Sequence, residues 1–153
     1  MSELNQIIKA SRHELHRHPE TAFEETRTAA FVAERLREMG IEVHTGIGGT
    51  GVIGRLKVGD GPKVVALRAD MDALPVKESR ENLSGEKVSV SGNDGVSHAC
   101  GHDAHMAMML GAMLVLNRLK SQLHGTVLVV FEQAEETGRG VDQMMEAFKR
   151  YPV

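Results

Sequence analysis

Residues 63–72 read KVVALRADMD, and residues 126–136 read TVLVVFEQAEE. Each holds a near-continuous apolar run, Lys63–Ala69 and Thr126–Phe131, with a pair of carboxylates just beyond it. Runs of this length, rich in Val and Leu, suit strands covered on both faces. Open α/β sheets gather ligands beyond the carboxyl ends of their strands. Asp70 and Asp72 after the first run, and Glu135 and Glu136 after the second, are therefore expected on one edge of one sheet. The expected class is α/β, with a mixed sheet between helices.

The flanking segments supply the rest. Leu4, Ile7, Ile8, Ser11 and Leu15 recur at helical spacing and predict an amphipathic helix over residues 3–17, stopped by Pro19. His13, His16 and His18 near its end read as solvated groups well placed against the helix dipole. A second helix is expected over Thr26–Met39, with Val32, Leu36 and Met39 inward and Gly40 as a left-handed cap. Ile41–His44 and Val52–Lys57 alternate and read as strands. Their connector, TGIGGTG at 45–51, matches the dinucleotide pattern G-x-G-x-x-G at Gly46, Gly48 and Gly51. That pattern needs a helix directly after it. A strand-like run follows instead, so the connector reads as a glycine-rich hairpin. Residues 78–97 are polar and form a long loop, or a loop with a short strand at Lys87–Val90. Ala104–Leu119 is apolar nearly all round and reads as a buried helix whose methionines fill the core. A last helix is expected over Val141–Lys149.

The totals exclude several functions. At 153 residues the chain fits one domain, and its net charge of −3 gives no footprint for nucleic acid or an anionic membrane. Aromatics are 3% with no Trp, which leaves no base-stacking platform. No apolar run approaches the roughly 20 residues of a membrane span. Met1–Ala10 does not read as a signal peptide. The single Cys cannot form an internal disulfide, and a cytoplasmic location follows as the expectation.

Residues 98–105, HACGHDAH, place a thiol and three imidazoles within one short segment. Thiolate, imidazole and carboxylate are the side chains that hold zinc and similar ions. Cys100 and His102 flank Gly101, which permits a tight backbone. Cys100 alone would read as a small buried hydrophobe; its neighbours favour a metal ligand. His105, one turn beyond His102, either reaches the same face or hydrogen-bonds within the core, and the core reading is preferred. His98 reads as support behind the ligands, and Asp103 as a helix cap. Of Glu135 and Glu136, one can ligate metal while the other takes a proton from an activated water. Asp70 and Asp72 suit the orientation of a ligand imidazole, with Arg68 as counter-charge. A structural zinc site would show two close Cys/His pairs. One such pair is present and the other pair is acidic, which favours catalysis. A thiol redox role lacks a resolving Cys.

These segments resemble the amidohydrolase branch of the M20 metallopeptidase family, which includes hippurate, N-acyl-amino-acid and auxin-conjugate hydrolases. They are RHELHRHPE (12–20), FEET (23–26), TGIGGTGVIG (45–54), ALRADMDALPV (66–76), HACGHDAH (98–105) and GTVLVVFEQAEETGRG (125–140), in family order. The resemblance implies hydrolysis of the amide bond of N-acyl amino acids by a metal-activated water. It implies two divalent ions, of Zn, Mn, Co or Ni type. Cys100 then corresponds to the bridging ligand, His102 and Glu136 to further ligands, Glu135 to the general base, and Asp72 to the aspartate beside the metals. It also implies a homodimeric parent. Where the family has Gln-Pro-Ala before the glutamates, this chain has Glu132-Gln133-Ala134. Loss of that proline is expected to loosen the turn that aims Glu135. Family members are more than twice as long. Residues 1–153 are thus expected to be the N-terminal half of a zinc-peptidase-like catalytic domain, without the dimerisation domain and the later ligand histidines, and weakly active or inactive alone; the alternative is a truncated, non-catalytic remnant that binds metal weakly or not at all.

Overall fold

The computed structural model describes residues 2–151. Two helices come first. Helix α1, Glu3–Arg17, is capped by Ser2, whose hydroxyl accepts from the Asn5 amide, and it ends just before Pro19. Helix α2, Thr26–Glu38, buries Thr28, Ala29, Val32, Ala33 and Leu36 on one face. It ends at Gly40, whose φ of 73° is the left-handed conformation foreseen for it.

Strands β1, Glu42–Ile47, and β2, Gly51–Val58, form the expected antiparallel hairpin around the glycine-rich connector. Strand β3, Val64–Asp70, and the later β6, Gly125–Glu132, complete a four-stranded sheet in the order β1-β2-β6-β3. β2 runs antiparallel to β6, whereas β3 runs parallel to it. The sheet is mixed for that reason. Asp70 registers with Glu132, so β3 and β6 release their chains at the same edge.

Residues of β2 and β6 alternate between two faces, as the pleat requires. Val52, Leu56, Val129 and Phe131 point to the larger core shared with α1, α2 and helix α3, His102–Arg118. Ile53, Leu128 and Val130 point to a smaller one closed by Met144 of helix α4, Val141–Phe148. Gly54 in β2 lets α2 settle on the sheet, since a Cβ there would lie 2.8 Å from Leu36 Cδ1.

Three expectations are corrected. β3 is not covered on both faces: it is the sheet's edge, and Val65 is 54% exposed. Its apolar run resembles that of β6, but only β6 has a strand on each side. Helix α3 is buried along one face only. Met106, Leu110 and Met113 fill the core, while Met108 faces solvent. Val88 is exposed and no strand forms over 87–90. The loop instead makes a small hairpin upstream, β4 (Glu81–Asn82) with β5 (Gly85–Glu86). There the Asn82 side chain accepts from the Ser84 amide and Gly85 has φ 111°.

Candidate metal centre

Parallel pairing of β3 and β6 brings the two acidic segments together. Past β3 the chain continues through Met71, whose amide donates to the Glu132 carbonyl at 2.8 Å, to Asp72. Past β6 it enters a short 3-10 turn, Glu135–Thr137. The buried Asp72 carboxylate accepts from the backbone N–H of Glu135 at 3.1 Å and of Glu136 at 3.0 Å. Asp72 therefore fixes the start of the turn that carries both glutamates.

The third element is the start of α3. Gly101, at φ 88°, turns the chain so that Cys100 and His102 face the acidic edge. His102 Nδ1 donates to the Asp72 carbonyl at 2.8 Å. A carbonyl can only accept, so this bond leaves Nε2 free to bind a cation when the ring is neutral. Nε2 lies 3.7 Å from Glu135 Oε2, 3.8 Å from Glu136 Oε1 and 3.8 Å from Asp70 Oδ2.

Charge in the site is arranged for a cation at that nitrogen. The Asp72 side chain, with its carbonyl and the nearby Asp70 carboxyl, outweighs burial and raises the His102 pKa to about 9. Burial works to raise Asp72, but His102 and the two turn amides outweigh it and hold the carboxyl below its ordinary value. Burial pushes Asp70 up against the pull of Arg68. The exposed Cys100 thiol is raised, chiefly by the Glu136 carboxylate beside it.

The ligand atoms of Cys100, His102 and Glu136 all lie within 4.8 Å of one another, and so do those of Asp70, His102 and His105. Glu136 Oε1 is buried with no hydrogen-bond partner. A thiol, an imidazole and a carboxylate, with that unsatisfied oxygen aimed among them, fit a divalent ion of borderline softness. Arg68 is the counter-charge foreseen: its guanidinium donates to Glu132 at 2.6 Å and pairs with Asp70 at 2.7 Å.

Several sequence readings change. His105 does not hydrogen-bond within the core. It is exposed and stands beside His102, because their spacing of three residues puts both on the helix face toward the acidic edge. Asp103 does not cap α3. It lies inside the helix, and its buried carboxylate accepts from His16 Nδ1 at 2.7 Å and forms an ion pair with Arg12 Nε at 2.9 Å. His16 is accordingly buried rather than solvated, with Glu78 3.0 Å from its other nitrogen. His98 is buried with neither ring nitrogen hydrogen-bonded, and burial drives its pKa down to about 4. The turn before Glu135 is tied by hydrogen bonds where the family has its proline. The Ala134 amide donates to Glu25 Oε1 at 2.8 Å, ahead of the two amides held by Asp72. Arg12 and Glu25 fall in the RHELHRHPE and FEET segments and Glu78 in none, and no local pattern announces their roles, because each acts on a partner far along the chain.

The His16 network makes stability depend on pH. Its hydrogen bond to Asp103 raises the His16 pKa above the ordinary 6.5. The contribution is then complete below about 6.5 and fades as pH rises through the folded value. Breaking a buried pair costs on the order of 3–5 kcal/mol. Urea unfolding of wild type and His16→Ala should show a gap of about that size near pH 6, narrowing at pH 9.

The sequence model of Peptidase family M20/M25/M40 matches residues 66–153, more than half of the chain. The chain belongs to this family. Its M20 relatives are close in sequence. Thermostable carboxypeptidase 2 of Saccharolobus solfataricus is 42% identical over 96% of the chain. The IAA-amino acid hydrolase ILR1-like 5 of Arabidopsis thaliana is 43% identical over 89% of it. A solved structure, the Bacillus subtilis YXEP protein, a dinuclear metal binding peptidase from the M20 family, superposes with a TM-score of 0.85 at 40% identity over 94% of the chain. The M20 chain described here covers 37%, 30% and 39% of these three proteins respectively. Its mixed sheet and helices match part of the M20 catalytic domain. Among the described residues no helix is long and apolar enough to cross a membrane.

Proposed function

We propose that this chain supplies metal ligands and the general base of a two-metal amidohydrolase acting on N-acyl amino acids. The observation that carries the reading is the convergence of Cys100, His102 and Glu136 with Glu135 beside them. The relatives add support, since they include a carboxypeptidase and IAA-amino acid hydrolases, enzymes of amide substrates that end in an amino acid.

Roles divide by position. Glu136 is the more buried of the pair, at 21% exposure against 37% for Glu135. Glu136 would hold the metal together with Cys100 and His102. Glu135, the more open, accepts a proton from the attacking water and returns it to the leaving amine nitrogen. Asp72 holds the His102 ring and the glutamate turn in register. Bound divalent ions, of Zn, Mn, Co or Ni type, would polarise the amide carbonyl and acidify water. The parent enzyme is a homodimer in this reading, its substrate a small molecule. Its compartment is the reducing cytoplasm, where a lone ligating thiol persists.

The three-ligand set within this chain favours a second reading for these residues alone, a metal-holding piece without turnover. The test is metal content after loading with Zn, Mn or Co, with release of free amino acid from N-acetyl and N-benzoyl amino acids. Metal with turnover supports the first reading and metal without turnover the second. A chain that takes up no metal overturns both.

A further inference from the structure

We propose that Glu25 is a positioning residue that sets the backbone turn aiming Glu135 and Glu136, a role resting on the assignment of those two glutamates above. Glu25 occupies the N-cap position of α2, yet its side chain makes no cap bond. Capping is done by Glu20, whose carboxylate accepts from the Arg27 and Thr28 amides at 3.1 and 2.7 Å. The Glu25 side chain is thereby free to reach elsewhere.

It reaches across the molecule and is fully buried. Oε1 accepts from the Ala134 amide at 2.8 Å, and Oε2 accepts from the Thr50 hydroxyl at 2.6 Å. Both neighbours act as donors, so a group that accepts on both oxygens suits the place. Ala134 has φ 53°, a left-handed conformation that side-chain-bearing residues seldom adopt. Such a conformation persists where its surroundings over-determine it. Here they do. The consecutive amides of residues 134, 135 and 136 are taken up by two buried carboxylates, Glu25 for the first and Asp72 for the next two.

The glycine-rich hairpin backs this arrangement. It presents Thr50 to Glu25, and a Cβ at Gly48 or Gly51 would overlap the buried Gln133 amide. On the other side Gly140 lies against the Gln133 carbonyl, with no room for a side chain. Residues 133–134 are thus clamped between the hairpin, Glu25 and the start of α4. The pattern that superficially matches a dinucleotide loop works here as a support for the acidic turn.

The test uses Glu25→Ala and Glu25→Gln in the whole chain. Amide hydrogen exchange is followed by NMR at Ala134, Glu135 and Glu136, with Val129 of β6 as reference, alongside zinc affinity. Glu25→Ala should speed exchange at the three turn amides by at least about tenfold while Val129 stays protected. Zinc affinity should fall roughly 10–100-fold, the usual effect of losing support behind a ligand. Glu25→Gln keeps an acceptor for Ala134, and Thr50 can rotate to accept from its NH2, so it should recover most of both. Unchanged exchange at Glu135 and Glu136 in Glu25→Ala overturns the proposal, as does equal loss in the two variants. If Glu25→Ala does not fold, Thr50→Val decides, since it removes one partner only. It must raise exchange at Ala134 relative to Val129, and equal exchange overturns the proposal. The exchange readout needs no metal. A wild-type chain that binds no zinc but shows the exchange effect therefore overturns the metal reading and leaves the turn's support standing.

Discussion

Asp72→Ala is expected to lower stability by about 3 kcal/mol or more and to weaken metal binding roughly 10–100-fold. The residue is 1% exposed, and its carboxylate is the acceptor for the Glu135 and Glu136 amides. Bonds to a charged acceptor contribute about 1.5–3 kcal/mol each, and removing the acceptor strands buried donors. His102 would keep its bond to the residue-72 carbonyl but lose the carboxylate 3.5 Å from Nδ1. Urea midpoints and zinc titrations on the same preparation measure both effects. The Asp72 pKa is depressed in the fold, so its contribution is present above the ordinary 3.8 and is lost as pH falls through the folded value. The wild-type advantage over the variant should accordingly shrink in acid.

His102→Ala is expected to reduce metal affinity by about 100-fold or more, beyond the range typical for residues that only support a ligand. Among the described residues His102 is common to both groups of potential ligands, so its loss breaks both. The apo chain should suffer as well. With a pKa of about 9 the ring is an imidazolium at neutral pH, the cation that offsets Asp70, Glu135 and Glu136. Without it those carboxylates face one another uncompensated. In wild type, metal must displace the Nε2 proton, so isothermal titration at pH 7 in buffers of different ionisation enthalpy should show proton release on zinc binding, and His102→Ala should not release that proton. A wild-type signal independent of buffer would argue against His102 as ligand.

The sheet and its acidic edge were legible because they rest on local patterns. The apolar runs before Asp70 and Glu132 marked two strands, and carboxylates past their ends marked the edge. Gly40 and Pro19 punctuated the helices through backbone restrictions that any chain shares. The cluster at Cys100 and His102 was legible from residue type and spacing. What could not be read were partnerships between distant residues. Nothing near His16 announces Asp103 and Glu78, 87 and 62 positions away, so a buried network looked like a solvated helix end. Strand order was hidden too: β3 and β6 have similar composition, and only the topology puts β3 at the edge. His105 was misplaced because helical spacing gave its face but not what that face met.

The parallel pairing of β3 with β6 has a kinetic consequence. Its partners, from Val64 with Thr126 to Asp70 with Glu132, are about 60 residues apart in the chain. Contacts of such separation close late, because loop entropy is lost before they contribute. The Asp70–Asp72 segment and the Glu135–Glu136 turn meet only when that closure is complete, so the chain's own candidate ligands come together only in the native state. An interaction absent from the transition state slows unfolding and leaves the folding rate nearly unchanged. A bound ion would act on this fold as a latch, fastened after the chain has found its own way.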